Sequence, residues 1–103
     1  MKISNALLVI IVALFPLYSQ VTVSGSVTTE NGKILPGANI VLKGTSLGTV
    51  SDQEGQFKLD ISEGDYIQSD GELVVTYIGY ITKKIIIQKE KQFYEIVLIK
   101  DAL

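Results

Sequence analysis

Residues 52–61 encode a turn followed directly by a strand, and they read Asp52-Gln53-Glu54-Gly55-Gln56-Phe57-Lys58-Leu59-Asp60-Ile61. Asp52 can accept backbone N–H groups in an Asx turn, and Gly55 can take a positive φ before the strand begins. Beyond the turn, Phe57, Leu59 and Ile61 alternate with polar residues, a period of two that is typical of a strand buried on one face. This stretch therefore predicts a β fold.

The same period extends in both directions from this stretch. Valine and glycine alternate with serine and threonine over residues 21–28, and Ala38, Ile40 and Leu42 share one face of the segment 38–43. Residues 72–78 are almost entirely apolar or β-branched, which predicts a central strand buried on both faces. Two further strands are expected at residues 80–87 and 93–99. Six or seven short strands without a helical period predict an all-β fold, a small antiparallel Greek-key β-sandwich.

Turn signals separate the predicted strands. Asn31-Gly32 predicts a type I′ turn, since both positions of that turn need a positive φ. Pro36 has a fixed φ, and Gly37 permits the turn that delivers Ala38 to the core. Gly79 predicts a kink or bulge between two tyrosines, and residues 62–71 are polar and are expected to form a loop. The predicted fold-defining turn residues are Asn31, Gly32, Pro36, Gly37, Asp52, Gly55 and Gly79.

The first residues of the chain differ in character from the rest. Lys2 and the free amino group precede an uncharged apolar run over residues 6–15, which is the pattern of a signal peptide. The run is shorter than the roughly 20 apolar residues that a spanning helix needs. We expect a signal peptide over residues 1–19, cleaved after Ser19 or Gln20, and one domain over residues 20–103, with no membrane-spanning segment in the mature chain.

Composition excludes several classes of function. The chain of 103 residues has no Cys, His or Trp, and its nine basic residues are all lysine. Disulfides, zinc sites built on Cys or His, and Ser-His-Asp or Cys-His nucleophiles are therefore impossible. The net charge of −2, with scattered lysines, does not fit a nucleic-acid binder. No cofactor and no metal are expected, and the lysines at positions 83, 84, 89 and 91 are expected to protect edge strands from pairing with other chains.

The order and spacing of several motifs carry a resemblance to a known family. These motifs are Val23-Ser24-Gly25-Ser26-Val27-Thr28, Asn31-Gly32, Leu35-Pro36-Gly37-Ala38-Asn39-Ile40, Lys43-Gly44-Thr45, residues 48–57 and Tyr77-Ile78-Gly79-Tyr80. Together they resemble the carboxypeptidase-regulatory-like, transthyretin-like β-sandwich. More narrowly, they resemble the N-terminal extension of SusC/RagA-type TonB-dependent outer-membrane receptors of Bacteroidetes.

The resemblance implies a setting and a role. It implies a non-catalytic domain on the periplasmic side of the outer membrane, which contacts or positions other receptor segments or other periplasmic and outer-membrane proteins. In such receptors a linker with a TonB box, a plug and a barrel follow this domain, whereas this sequence stops at Leu103. A truncated receptor N-terminus and a free-standing exported domain both remain open. The segment 62–71 is the candidate interaction surface, with Glu63, Asp65, Tyr66 and Asp70.

Three other functions have partial support in the sequence. A carbohydrate-binding or adhesion sandwich would use exposed tyrosines as stacking platforms, and the candidates are Tyr66, Tyr77, Tyr80 and Tyr94. Calcium could be held by Asp52, Glu54 and the loop acids, but their spacing does not meet the EF-hand pattern. Paired carboxylates could do acid–base chemistry only in a deep cleft, and solvated turns are the simpler interpretation. We therefore expect no enzyme activity.

Overall fold

The computed structural model describes residues 20–102, and the expected signal peptide lies outside the described residues. This part of the chain forms seven strands and one helix. In chain order they are β1 (Gln20–Thr29), β2 (Asn39–Leu42), β3 (Gly48–Val50), β4 (Gln56–Ser62), α1 (Glu63–Gln68), β5 (Glu72–Thr76), β6 (Lys83–Ile86) and β7 (Phe93–Leu98).

The strands form two sheets that enclose one core. The first sheet has the order β4-β1-β7, and the second has the order β3-β2-β5-β6. The inner faces supply the buried apolar side chains, because alternate residues of a strand point to opposite faces. The buried side chains that the strands contribute to the core are those of Val23, Val27, Ile40, Leu42, Phe57, Leu59, Ile61, Leu73, Val75, Tyr94, Ile96 and Leu98. The predicted all-β sandwich is confirmed.

One strand pair departs from the antiparallel prediction. β1 pairs antiparallel with β4 but parallel with β7, whereas every pair in the second sheet is antiparallel. A parallel neighbour requires a crossover connection. Here the chain leaves the first sheet after β4, builds β5 and β6 in the second sheet, and returns through residues 87–92. Periodicity reports which face of a strand is buried and carries no information about the direction of its neighbour.

The strand β5 is central, as predicted, because it lies between β2 and β6. The prediction that both of its faces are buried is wrong. Leu73 and Val75 are fully buried, but Glu72, Val74 and Thr76 are only partly covered. Its outer face carries β-branched residues that suit a pleated surface whether or not a second layer covers it. The apolar run in the sequence therefore predicted more burial of β5 than the structure shows.

The segment 62–71 contains a helix where a loop was expected. Ser62 has an extended backbone, and its Oγ accepts a hydrogen bond from the Asp65 N–H at 3.1 Å, which caps the first turn of α1. Two acidic residues in the first turn suit the positive end of the helix dipole. The helix has six residues and buries none of them. It therefore leaves no apolar period in the sequence.

The type I′ turn lies at Asp70-Gly71 and not at Asn31-Gly32. Asp70 and Gly71 have φ angles of 57° and 65°, and the Glu72 N–H donates to the Ser69 carbonyl at 3.2 Å. At the predicted position only Gly32 has a positive φ, of 80°. There the Thr29 N–H donates to the Lys33 carbonyl, so the loop has three residues and ends on a left-handed glycine, the next most common hairpin connection. The type I′ prediction for Asn31 is wrong.

The left-handed backbone of Asp70 makes a prediction about stability. Aspartate and asparagine tolerate this conformation better than other non-glycine residues. We expect Asp70→Ala to lower the free energy of unfolding by about 1 kcal/mol, which is a fall in Tm of about 4–8 °C for a domain of this size. Asp70→Asn should leave Tm nearly unchanged. Thermal unfolding followed by circular dichroism measures both, and equal Tm values for the two variants would contradict the assignment.

Candidate functional site

The four residues of the predicted interaction surface lie on α1 and on the turn that follows it. Glu63 and Asp70 are exposed, whereas Asp65 and Tyr66 are half-buried. Glu63 and Tyr66 meet in a groove of about 300 Å³ that also involves the start of β1 and the tip before β7. Asp65 and Asp70 do not line this groove. The structure therefore brings together two of the four residues.

Tyr66 joins α1 to the rest of the sandwich. Its hydroxyl donates to the Ile87 carbonyl at 3.2 Å, and the Lys89 ammonium lies 5.1 Å from its ring centroid. The ring also lies against Gly71, where an added Cβ would approach it to 3.0 Å. A cation–π contact of this kind occupies the face of the ring. The ring is thus engaged within the molecule and is not an open stacking platform.

The other candidate tyrosines are also committed to internal contacts. Tyr77 and Tyr80 are half-buried and pack edge to face, with their ring centroids 5.6 Å apart. Tyr94 is buried, and its hydroxyl accepts a hydrogen bond from the Gln88 N–H at 2.8 Å. These contacts favour a structural role over sugar stacking.

Ser51, which the sequence did not single out, holds the turn at Pro36-Gly37. Its Oγ donates to the Leu35 carbonyl at 2.6 Å and accepts from the Ala38 N–H at 2.8 Å. Its own backbone N–H and carbonyl bond to Ala38 and Gly37, each at 2.9 Å. The side chain therefore bridges the mouth of a turn whose Gly37 has a φ of 85°. No periodic or dipeptide signal identifies a serine in this role.

The turn before β4 is organised by Asp52. Its carboxylate oxygen accepts the N–H groups of Glu54 and Gln56, each at 2.9 Å. Gly55 has a φ of 76°, and a Cβ there would lie 2.9 Å from the Val27 carbonyl oxygen. This is the Asx geometry that the residue types predict. The carboxylate is thus engaged by the backbone, and among residues 20–102 no group of three or more acidic side chains is placed to hold a metal ion.

A second turn closes the segment Tyr77-Ile78-Gly79-Tyr80. Gly79 has a φ of 86°, and the Tyr80 N–H donates to the Tyr77 carbonyl at 3.0 Å. A positive φ at the third residue identifies a type II turn, where a kink or bulge was predicted. The Gly79 carbonyl also accepts the Asp101 N–H at 2.9 Å. The turn is thereby tied to the segment that follows β7.

The edge of β7 carries exposed apolar side chains, which sequence reasoning did not recognise as a surface. Phe93, Val97 and Ile99 are 49%, 37% and 50% exposed. A groove of about 230 Å³ lies beside them, lined by Ile81, Thr82, Lys83, Val97 and Ile99. The Lys83 ammonium donates to the Val97 carbonyl at 3.3 Å. One of the predicted edge-protecting lysines therefore contacts a sheet edge.

Comparison with known proteins assigns the family. The CarboxypepD_reg-like domain model matches residues 23–102, so the chain belongs to this family. The chain is 44% identical over 61 residues to the TonB-dependent receptor SusC of Bacteroides thetaiotaomicron, a match to 59% of this chain and 6% of the receptor. It is 36% identical over 75 residues to TonB-dependent receptor P39 of Formosa agariphila, a match to 73% of this chain and 7% of the receptor. The matched region is thus a small part of each relative.

Solved structures share the fold at low sequence identity. A cohesin–X-dockerin complex from Acetivibrio cellulolyticus matches with a TM-score of 0.52 and 18% identity, over 75% of this chain and 56% of that chain. Catechol 1,2-dioxygenase from Acinetobacter radioresistens matches with a TM-score of 0.55 and 15% identity, over 82% and 53%. These likenesses support the sandwich fold alone. Within residues 20–102, no helix has the length and apolar character that crossing a bilayer requires.

Proposed function

We propose that residues 20–103 form a non-catalytic interaction and positioning domain of a TonB-dependent outer-membrane receptor, exported by a signal peptide over residues 1–19 and held on the periplasmic side. The observation that carries the proposal is the family match over residues 23–102 together with relatives that are TonB-dependent receptors. The other segments of such a receptor, or its periplasmic neighbours, are the partners. Import of a nutrient belongs to the whole receptor and not to this domain.

The geometry of the polar residues supports a contact role over a catalytic one. The Asp52 carboxylate accepts backbone N–H groups, and the groove lined by Glu63 and Tyr66 is open to solvent. Lys89 also lines this groove, and its ammonium contacts the Tyr66 ring. Acid–base catalysis would need carboxylates in an enclosed site. A carbohydrate-binding sandwich is less favoured, because all four candidate tyrosines contact other parts of the domain.

Protease accessibility in cells tests the location and the role together. An epitope tag inserted after Ser46, an exposed turn residue, reports on the domain without touching either groove. We expect the tag to resist external protease in intact cells, to be digested once the outer membrane is permeabilised, and to co-purify with an outer-membrane receptor. A tag digested in intact cells would favour the surface-exposed adhesion alternative, and a tag recovered in the cytosol would overturn export.

A further inference from the structure

The outer edge of β7 has backbone groups without a neighbouring strand. The Ser24 N–H donates to the Gln92 carbonyl, so the backbone N–H and C=O groups of Gln92 and of the even-numbered residues of β7 point toward β1. Backbone groups alternate in direction along a strand, and the N–H and C=O of Phe93, Glu95 and Val97 therefore point away from the sheet. Within residues 20–102, β7 has no strand on that side. Such an edge is a template for pairing with another chain.

The same edge already accepts a paired segment just beyond β7. The Ile81 N–H donates to the Ile99 carbonyl at 2.8 Å, and the Asp101 N–H donates to the Gly79 carbonyl at 2.9 Å. After Ile81 the chain turns away to pair with β5 in the second sheet, where Lys83 lies opposite Val75. An incoming strand beside residues 93–97 would continue a ladder that the chain itself begins.

The side chains beside the open edge suit an extended partner with alternating apolar residues. Phe93 and Val97 are exposed on the outer face of β7, where cross-strand apolar and aromatic pairs stabilise a sheet. At the Val97 end, the groove between Ile81 and Ile99 offers an apolar pocket for one side chain of the partner. Backbone hydrogen bonds would supply affinity, and these side chains would supply selectivity.

Charge indicates which kind of chain fits. Residues 81–103 contain five lysines and three acidic residues, whereas residues 20–80 contain three lysines and eight acidic residues. Lys83 contacts the edge itself, and Lys100 lies two residues after β7. Lys91 lies two residues before β7 with its ammonium 5.0 Å from the Tyr94 ring centroid, and Glu95 is the one acidic residue within β7. An acidic segment is attracted to this edge, whereas a second copy would bring lysines against lysines. The lysines therefore select the partner and disfavour self-pairing.

We propose that the outer edge of β7, from Phe93 to Val97, binds an extended acidic peptide segment of a partner protein as an added β-strand. The inference rests on the proposed function as a contact domain and names its surface and the chemistry of its partner. Lys83 is displaced from the Val97 carbonyl by the incoming backbone and becomes available to a carboxylate of the peptide.

The test is a titration of the full chain with a fluorescein-labelled peptide, TVEVDVEVSG. We expect it to bind at least about tenfold more tightly than the basic counterpart TVKVKVKVSG, and more weakly as salt is raised. Glu95→Pro removes only an outward-facing donor, which a sheet edge tolerates. In an antiparallel pairing, Glu95 exchanges two hydrogen bonds with the residue opposite it, and the proline ring hinders the close approach of the partner strand that both bonds need. We therefore expect binding to fall by about tenfold or more.

The matched control is Lys58→Pro, on the opposite edge of the same sheet. Its side chain is exposed, and by the alternation of β4 its N–H also points away from β1. We expect this variant to bind normally. Glu95→Pro removes a negative charge, so electrostatics alone predicts tighter binding of the acidic peptide. A loss of affinity therefore reports on backbone pairing, provided that the variant keeps its circular dichroism spectrum.

Three outcomes would overturn the inference: no binding by the wild-type chain, equal binding of both peptides, or unchanged binding by Glu95→Pro. Concentration-dependent dimerisation abolished by Glu95→Pro would assign the edge to a second copy and would also overturn it. Failure in this titration leaves the protease-accessibility result unaffected, since that experiment reports on location and receptor association. The two proposals can therefore fail independently.

Discussion

Gly25→Ala is expected to lower the free energy of unfolding of the chain strongly. Gly25 lies in β1, the central strand of the first sheet, opposite Phe57 of β4 and Tyr94 of β7. A Cβ at this position would collide with the Tyr94 carbonyl oxygen and would lie 2.8 Å from Cε2 of the Phe57 ring. The carbonyl belongs to the backbone of a neighbouring strand and cannot move away without breaking the sheet.

The expected loss is about 3 kcal/mol or more, at or beyond the upper end for overpacked cores. Domains of this size have total stabilities of roughly 4–12 kcal/mol, so a loss of about 3 kcal/mol removes roughly a quarter to three quarters of the stability. Urea unfolding of the full chain, followed by far-ultraviolet circular dichroism, measures the difference. The control is Gly64→Ala, because the residue is in α1 and no atom beyond its chain neighbours and its own helix backbone lies within 4 Å of an added Cβ. This control should be neutral or stabilising by up to about 1 kcal/mol.

A soluble Gly25→Ala protein with the urea midpoint of the wild type would contradict the close approach of β4, β1 and β7. Loss of stability in both glycine variants to the same extent would also contradict it, because the two substitutions add the same methyl group in different surroundings.

Ser51→Ala is the second change with a large expected effect. The Ser51 side chain is 5% exposed, and its Oγ satisfies both the Leu35 carbonyl and the Ala38 N–H. Alanine leaves two buried backbone groups without their partner, and each unsatisfied group costs about 1–3 kcal/mol. We expect the free energy of unfolding to fall by about 2–4 kcal/mol, since the turn can relax in part.

Ser46→Ala provides the comparison for Ser51. Ser46 is exposed in the turn between β2 and β3, so its substitution should change the free energy of unfolding by less than about 0.5 kcal/mol. Native-state hydrogen exchange adds a local readout, because the Ala38 amide should lose protection in Ser51→Ala. Retained protection at Ala38 would show that the hydroxyl does not hold the turn.

Much of the fold was predictable because it depends on a period of two. The segments around Val23, Ile40, Phe57 and Ile96 bury the side chains that alternation assigns to the core. Alternation is local, and it survives whatever strand lies alongside. The Asx turn at Asp52 was predictable for the same reason, since its hydrogen bonds join residues that are two and four positions apart.

Errors arose where several local solutions were open. Asn31-Gly32 and Asp70-Gly71 are equally good dipeptides for a type I′ turn. The spacing of the hydrogen-bonded residues on either side decides whether each dipeptide adopts that turn. The loop from Thr29 to Lys33 has three residues between its ends, and Glu72 follows Ser69 by three positions. A six-residue helix held by one serine cap has no period to detect.

The candidate site was predictable only in part. Glu63 and Tyr66 of the polar segment 62–71 do meet in a groove, but Tyr66 is engaged by Lys89 and Ile87. The role of this segment as an interaction surface stays a prediction. The edge of β7 was not recognised. A strand is an edge only because of where other strands lie, and that information is absent from its own residues.

Residue identity and short-range spacing are sufficient to predict the all-β class, the inward face of most strands, the absence of Cys and His chemistry, and the family. Tertiary structure alone decided the parallel pairing of β1 with β7, the role of Ser51 and the open edge at Phe93–Val97. These features join residues that are distant along the chain. Their energies depend on partners that the fold brings alongside, most of them backbone groups that every residue carries, so no local pattern of side chains can encode them.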